Sequence, residues 1–225
     1  MILVFDLDDT LFPEISFVKS GFKAVSNFLS NEFQLNKKQV YSHMILLLKK
    51  NGRGNVFDDV LKANNIYTKK TVIKCLSLYR KHNPNIKLYY DAEKCIDRFK
   101  AYKKYIITDG NVNVQRSKVK ALGISKKFVK VIPTYQYGIS FSKPSVKCFQ
   151  LILEKEKSQP KDMIYIGDNP HKDFVKIKKV GIKTLRLVRG AYKDVRLDSE
   201  FEADYTFKNL KSLTHSFLGK INEDR

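Results

Sequence analysis

The sequence predicts an α/β protein built on a doubly wound parallel sheet, with an all-helical segment inserted after the first strand. Three observations predict it. Short unbroken apolar runs alternate with helical periodicity from residue 86 onward, as expected for parallel strands buried on both faces and joined by crossover helices. Residues 14–85 carry helical periodicity and no convincing strand. Three of the apolar runs stop abruptly at carboxylates, and in open parallel sheets ligand crevices lie at the carboxyl ends of strands. The domain boundaries expected are an α/β core of residues 1–13 and 86–225 and a helical cap of residues 14–85.

Taken in order, Ile2, Leu3, Val4 and Phe5 form the first strand, which ends at Asp6-Leu7-Asp8-Asp9-Thr10. Pro13 sets a helix start and Glu14 suits its first turn, where an acid meets the positive end of the helix dipole. Phe17, Phe22, Val25, Phe28 and Leu29 approximate one helical face; Val40, His43, Met44, Leu47 and Leu48 trace another, behind a cap at Asn36. Residues 49–54 read as a loop by glycine content. Val56, Val60 and Leu61 resume a short helix. Val72, Ile73, Leu76 and Tyr79 form the last one before His82-Asn83-Pro84.

In the second part of the chain, Asp91 starts a helix running through Ile96 and Phe99. Tyr105-Ile106-Ile107 is a strand stopping at Thr108-Asp109-Gly110-Asn111, followed by a helix from Val112 to Ala121 closed by Gly123. Further strands are expected over 128–133, 163–166, 183–188 and 205–207. Between and after them come helices over 144–157, with Cys148, Leu151 and Ile152 inward, over 170–180, and over 210–217.

Bulk properties narrow the function. With 225 residues and 43% hydrophobic content, a sizeable core is available. No apolar run approaches the ~20 residues of a membrane helix. The chain enters its first strand at once, so no secretory leader is expected, and Cys75, Cys95 and Cys148 are too scattered for a disulfide or zinc framework. A cytoplasmic protein, monomer or homodimer, is expected, with no membrane partner. The net charge of +20 attracts anions, but the lysines are spread along the whole chain without a dense basic block, so no nucleic-acid partner is expected.

Three strand ends, D-L-D-D-T, I-T-D-G-N and I-G-D-N-P-H-K-D, and a helix start at Ser142-Lys143-Pro144 can converge on one crevice. This set, four motifs in order, resembles the haloacid dehalogenase-like hydrolase superfamily, whose core is Rossmann-like and whose helical cap lies between the first two motifs. The resemblance implies Asp6 as a nucleophile forming an aspartyl-phosphate. It implies Asp8 as general acid and then general base. Thr108, Asp109 and Gly110 would hold the transferring phosphoryl group, although Thr108 alone also suits an ordinary helix cap. Lys143 would neutralise charge on the nucleophile and phosphoryl oxygens. Magnesium would be held by Asp6, the Asp8 carbonyl and Asp168, with Asp173 supporting the metal shell or orienting Lys143. Asp9 is read as a turn or capping residue.

An acid at Asp8 favours phosphate-ester hydrolysis over halide removal, because a halide leaves without a proton. The reading is therefore a magnesium-dependent phosphatase acting on a small phosphorylated metabolite, a sugar phosphate first and a nucleoside monophosphate next. The P-E-I-S-F-V-K-S-G-F stretch resembles bacterial members associated with sugar metabolism. A phosphomutase and a basic nucleic-acid-binding protein on the same fold are the alternatives. In the cap, Arg53 between Gly52 and Gly54 is the substrate candidate, its bland reading being a solvated turn. Tyr79, Arg80 and His82 are weaker candidates there, and His171, in the motif with Asp168, reads as a solvent-facing loop histidine.

Overall fold

The computed structural model describes residues 1–223. The chain divides into two compact units, Met1–Glu14 with Lys87–Arg225, and Ile15–Ile86.

The first unit is built on six parallel strands: β1 (Ile2–Phe5), β2 (Lys103–Thr108), β3 (Lys130–Pro133), β4 (Met163–Gly167), β5 (Lys183–Leu187) and β6 (Tyr205–Phe207). Their order across the sheet is β3-β2-β1-β4-β5-β6. β1 is thus central, and the winding reverses beside it, which makes its carboxyl end the topological switch point. All four β1 residues are buried, so the run has no polar alternation. On one sheet face Ile2, Val4, Tyr105, Ile107, Met163 and Tyr165 share a core with Cys148, Phe149 and Ile152.

The unit's helices are α5 (Tyr90–Arg98), α6 (Val112–Ala121), α7 (Lys147–Glu156), α8 (Val175–Lys179) and α9 (His215–Glu223); α1 to α4 precede them in the chain. Three depart from expectation. α7 begins at Lys147 rather than Pro144, because 142–145 form a turn closed by Ser145 N–H to the Ser142 carbonyl at 2.9 Å. Cys148 and Ile152 face inward as expected, joined by Phe149, while Leu151 is 36% exposed. α8 begins only at Val175. Before it, the Asp173 carboxylate accepts from Asn169 N–H at 2.9 Å and the Asn169 side chain from His171 N–H at 3.0 Å, which ties 169–173 into a side-chain-stabilised turn. Residues 210–212 form a single tight turn, and α9 starts at His215.

The second unit holds α1 (Glu14–Phe33), α2 (Lys37–Asn51), α3 (Val56–Ala63) and α4 (Lys69–Lys81). Asn36 caps α2 by accepting from the N–H groups of Lys38 and Gln39. α2 continues to Asn51, so the expected loop shrinks to the glycine-bounded Gly52–Asn55 turn. Val18, Phe22, Val25, Leu29, Val40, Met44, Val60, Leu61 and Cys75 make its core. Of the apolar residues that mark α4, Ile73 is 66% exposed, and the buried residue of the helix is Cys75.

Gly21 lies in the middle of α1, where glycine ordinarily costs about 1 kcal/mol against alanine. The reason is steric. A Cβ at Gly21 would lie 2.4 Å from the Tyr79 ring, and that ring is itself fixed by Phe17, Phe22 and Phe57. Gly21→Ala should therefore destabilise the protein by about 1–3 kcal/mol through overpacking, despite the better helix former. Chemical denaturation measures this; an unchanged or raised midpoint would show that Tyr79 yields.

Candidate active site

The β1 register places Phe5 beside Ile106 of β2 and Ile166 of β4. Asp6 N–H continues the ladder to the Ile166 carbonyl at 2.8 Å. Because the strands are parallel, the groups that follow β1, β2 and β4 emerge at one edge of the sheet. Asp6, Thr108 and Asp168 are brought there together, all buried.

Lys143 reaches the same place from the segment before α7. Its Nζ lies 2.5 Å from Asp6 Oδ1 and 2.8 Å from Asp173 Oδ1, and it donates to Tyr165 Oη at 2.8 Å. Tyr165 in turn donates to Asp173 Oδ1 at 3.0 Å. Of the two roles expected of Asp173, the geometry shows contact with Lys143: the remaining Asp173 oxygen is taken by Asn169 N–H. Gly167 is required beside it, since a Cβ there would fall 2.5 Å from Asp173 Oδ2.

The electrostatics are unbalanced. Burial works against the Lys143 charge, but Asp173 and Asp6 more than reverse this and hold its pKa well above the usual lysine range. Burial pushes the Asp6 carboxyl up to about 7, with Lys143 pulling the other way and Asp173 adding to the rise. Asp168 is pushed further, to about 9, by burial and then by Asp173, Asp6 and Asp9. Among the described residues Asp168 accepts one side-chain hydrogen bond, a long one from Thr10 Oγ1 at 3.4 Å.

The Asp8 carboxylate is engaged on both oxygens. Lys118 Nζ lies 2.6 and 2.9 Å from them, and Gln115 Nε2 donates at 3.0 Å. Asp9, at a left-handed φ of 53°, accepts from Glu14 N–H at 2.8 Å and Ala191 N–H at 3.0 Å. It is a turn and capping residue, as its sequence context suggests.

Thr108 ends β2, and Asn111 rather than Thr108 caps α6, accepting from Val114 N–H at 3.2 Å. Gly110 adopts φ 121°, which L side chains rarely take. The Asp109 side chain does not face a ligand alone. It accepts from Thr134 Oγ1 at 2.8 Å and Lys143 N–H at 3.2 Å, and pairs with Lys172 at 3.0 Å. Burial opposes its ionisation, yet Lys143 and Lys172 together hold its pKa below the usual range. Lys118, Gln115, Lys172 and Tyr165 are the residues that sequence reasoning missed. Lysine is too common in this chain for position alone to single one out.

Arg53 belongs to the second unit, at the rim of a 240 Å³ cavity lined by Val18, Phe22, Phe57, Leu76 and Tyr79. Tyr79 and His82 are packed with Phe17 in that unit's aromatic cluster, and His82 Nδ1 contacts the Tyr79 carbonyl at 2.6 Å. Arg80 is exposed. His171 packs its ring against Tyr192.

Residues 3–187 match the family described as Haloacid dehalogenase-like hydrolase. A glyceraldehyde 3-phosphate phosphatase from Methanocaldococcus jannaschii is 30% identical over 220 residues, covering 94% of each chain. One from Pyrococcus furiosus is 28% identical, covering 94% of this chain and 90% of that one. Among solved structures, a haloacid dehalogenase-like hydrolase from Bacillus subtilis bound to magnesium superposes with a TM-score of 0.65 at 17% identity, over 96% of this chain and 97% of that one. A phosphatase of the same type from Thermococcus onnurineus gives 0.61 at 22% identity, over 97% of both. With the acids at the strand ends, the strand order and the family match in agreement, the chain belongs to the haloacid dehalogenase-like hydrolase family.

Proposed function

We propose that the protein is a magnesium-dependent phosphatase of small phosphomonoesters, sugar phosphates first, working through an aspartyl-phosphate on Asp6. One observation carries the reading: Asp6, at the end of the central strand, sits 2.5 Å from the Lys143 ammonium in a buried acidic cluster. A carboxylate held there is a nucleophile whose attack on phosphorus builds charge beside a fixed cation. Thr108 at the end of β2 and the N–H groups around Gly110 and Asn111, just before α6, would suit the phosphoryl oxygens. Asp8 would protonate the leaving oxygen and later take the proton from water. The relatives named glyceraldehyde 3-phosphate phosphatase, similar over nearly the whole chain, support a triose phosphate as the first substrate to try.

The residues fit a magnesium ion in donor chemistry. Asp6 and Asp168 are hard oxygen donors, both pushed towards neutrality first by burial and then by neighbouring carboxylates. Among the described residues no group of three or more His, Cys, Asp or Glu side chains gathers as a metal cage. The protein would therefore supply two carboxylates and the Asp8 carbonyl, leaving places for water and phosphate, as magnesium sites commonly do. When bound, magnesium supplies charge that offsets the acids and clamps phosphoryl oxygens. Three buried cysteines without disulfides suit a cytoplasmic setting, and among the described residues no helix is long and apolar enough to cross a membrane.

Arg53 is our candidate for recognising a carboxylate or a second phosphate. Glyceraldehyde 3-phosphate offers neither group. If Arg53 selects substrate, Arg53→Ala should raise KM several-fold for a carboxylate-bearing phosphoester and leave glyceraldehyde 3-phosphate turnover unchanged; equal effects on both would remove the assignment.

Asp6→Asn should abolish magnesium-dependent hydrolysis of an aryl phosphate without lowering the melting temperature. Retained turnover in that variant would reject the nucleophile. Stability should also follow the acids. In chelator, folded Asp168 holds its proton to about pH 9, whereas the unfolded chain loses it near ~4. The folded state binds more protons across that window, so stability falls as pH rises through it. Magnesium should raise the melting temperature most at the alkaline end, and Asp168→Asn should flatten both effects. Calorimetry showing a pH-independent transition in chelator, or an undiminished magnesium response in the variant, would contradict this.

A further inference from the structure

The mechanism proposed above uses Asp8 but leaves open what aims it. Lys118 and Gln115 stand three residues apart on α6 and share a helical face. Both are 3% exposed although one is an ammonium and the other an amide. Burying an ammonium is costly unless a partner of opposite charge meets it. Here Lys118 Nζ spans both oxygens of Asp8, at 2.6 and 2.9 Å. It also lies 5.8 Å from the centre of the Phe12 ring, which is fully buried. Gln115 Nε2 divides its two protons between Asp8 Oδ2 at 3.0 Å and the Asp109 carbonyl at 2.6 Å. Its own Oε1 is buried without a hydrogen-bond partner among the described residues. An amide placed so that one end is fully used and the other is stranded is positioned for its donor end.

We propose that Lys118 is a positioning residue for Asp8, with Gln115 as its auxiliary. The two fix the carboxylate rotamer and tie it, through the Asp109 carbonyl, to the start of the helix that receives the phosphoryl group. The inference rests on the reading of Asp8 as proton donor and acceptor. In the first step the Asp6 oxygen bonds to phosphorus, the ester P–O bond breaks, and the leaving oxygen takes the Asp8 proton. In the second step water attacks the aspartyl-phosphate, its proton goes to Asp8, and Asp6 leaves. A loosely held Asp8 fails at both proton transfers yet leaves substrate binding and the Asp6–Lys143 pair intact.

This separates positioning from packing. With p-nitrophenyl phosphate, whose leaving group departs without an acid, a variant that only misplaces Asp8 still forms phosphoenzyme and releases a burst of nitrophenol. Its steady-state turnover then falls, because water lacks its base. With an alkyl phosphate both phases slow. Lys118→Met should retain the nitrophenol burst within twofold, lower kcat for an alkyl phosphate by about 10- to 100-fold, short of the 10²- to 10⁴-fold span of a complete loss of acid–base catalysis, and leave KM within twofold. Lys118→Arg, which keeps a two-oxygen donor, should recover most of kcat, and Gln115→Met should show the same pattern more weakly. Asp8→Asn is the benchmark. If Asp8→Asn loses alkyl-phosphate turnover and Lys118→Met and Gln115→Met do not, the positioning role fails alone. If Lys118→Met lowers burst, affinity and turnover together and arginine does not rescue it, Lys118 is packing and the inference fails. If Asp8→Asn is fully active, the underlying reading of Asp8 fails first.

Discussion

The structure depends on one constraint: several carboxylates are gathered into a buried space at the end of a central strand with too little positive charge to match them. Lys143 touches Asp6 and Asp173, while Asp168, next to them in the field, makes no ion pair with a cation among the described residues. A buried acid in that position is driven towards its neutral form. The acids are anchored by the central strand, whose four residues are all apolar and buried and whose backbone ladder continues to Asp6 itself. The same imbalance would suit a divalent cation and chemistry in which charge moves.

The supporting residues grade the acids into different tasks. Asp173 has both oxygens committed and Asp9 is a backbone clasp, whereas Asp109 is held by Thr134 and two lysine contacts. None of the three is available as a nucleophile. Asp6 has one oxygen on Lys143, and Asp8 is aimed by α6. Six aspartates near one edge of a sheet, Asp168 included, therefore do not amount to six equivalent groups, and it is hydrogen bonding that tells them apart.

How much of this was legible in the sequence depends on the range of the interaction. β1, β2 and β4 were readable because buried parallel strands are continuous apolar runs, and the termination of each at a polar group is local. The four motifs were readable because each lies within a few residues. The turn at 169–173 was not: 170–180 has helical composition, but Asn169 and Asp173 side chains take the backbone groups that a helix would use. Lys118 was not readable either. Its partner lies 110 positions away, and among 43 basic residues nothing local distinguishes it.

Burial drives Asp168 towards its neutral form, and magnesium entering the site would draw the proton off. Titration calorimetry of the chelator-treated protein with magnesium, near neutral pH and in buffers of different ionisation enthalpy, counts the protons released on binding. With Asp6 near 7 and Asp168 near 9, binding should release about one proton or more per ion, and Asp168→Asn should remove most of that release. Magnesium that binds without releasing protons, or does not bind at all, would contradict the account.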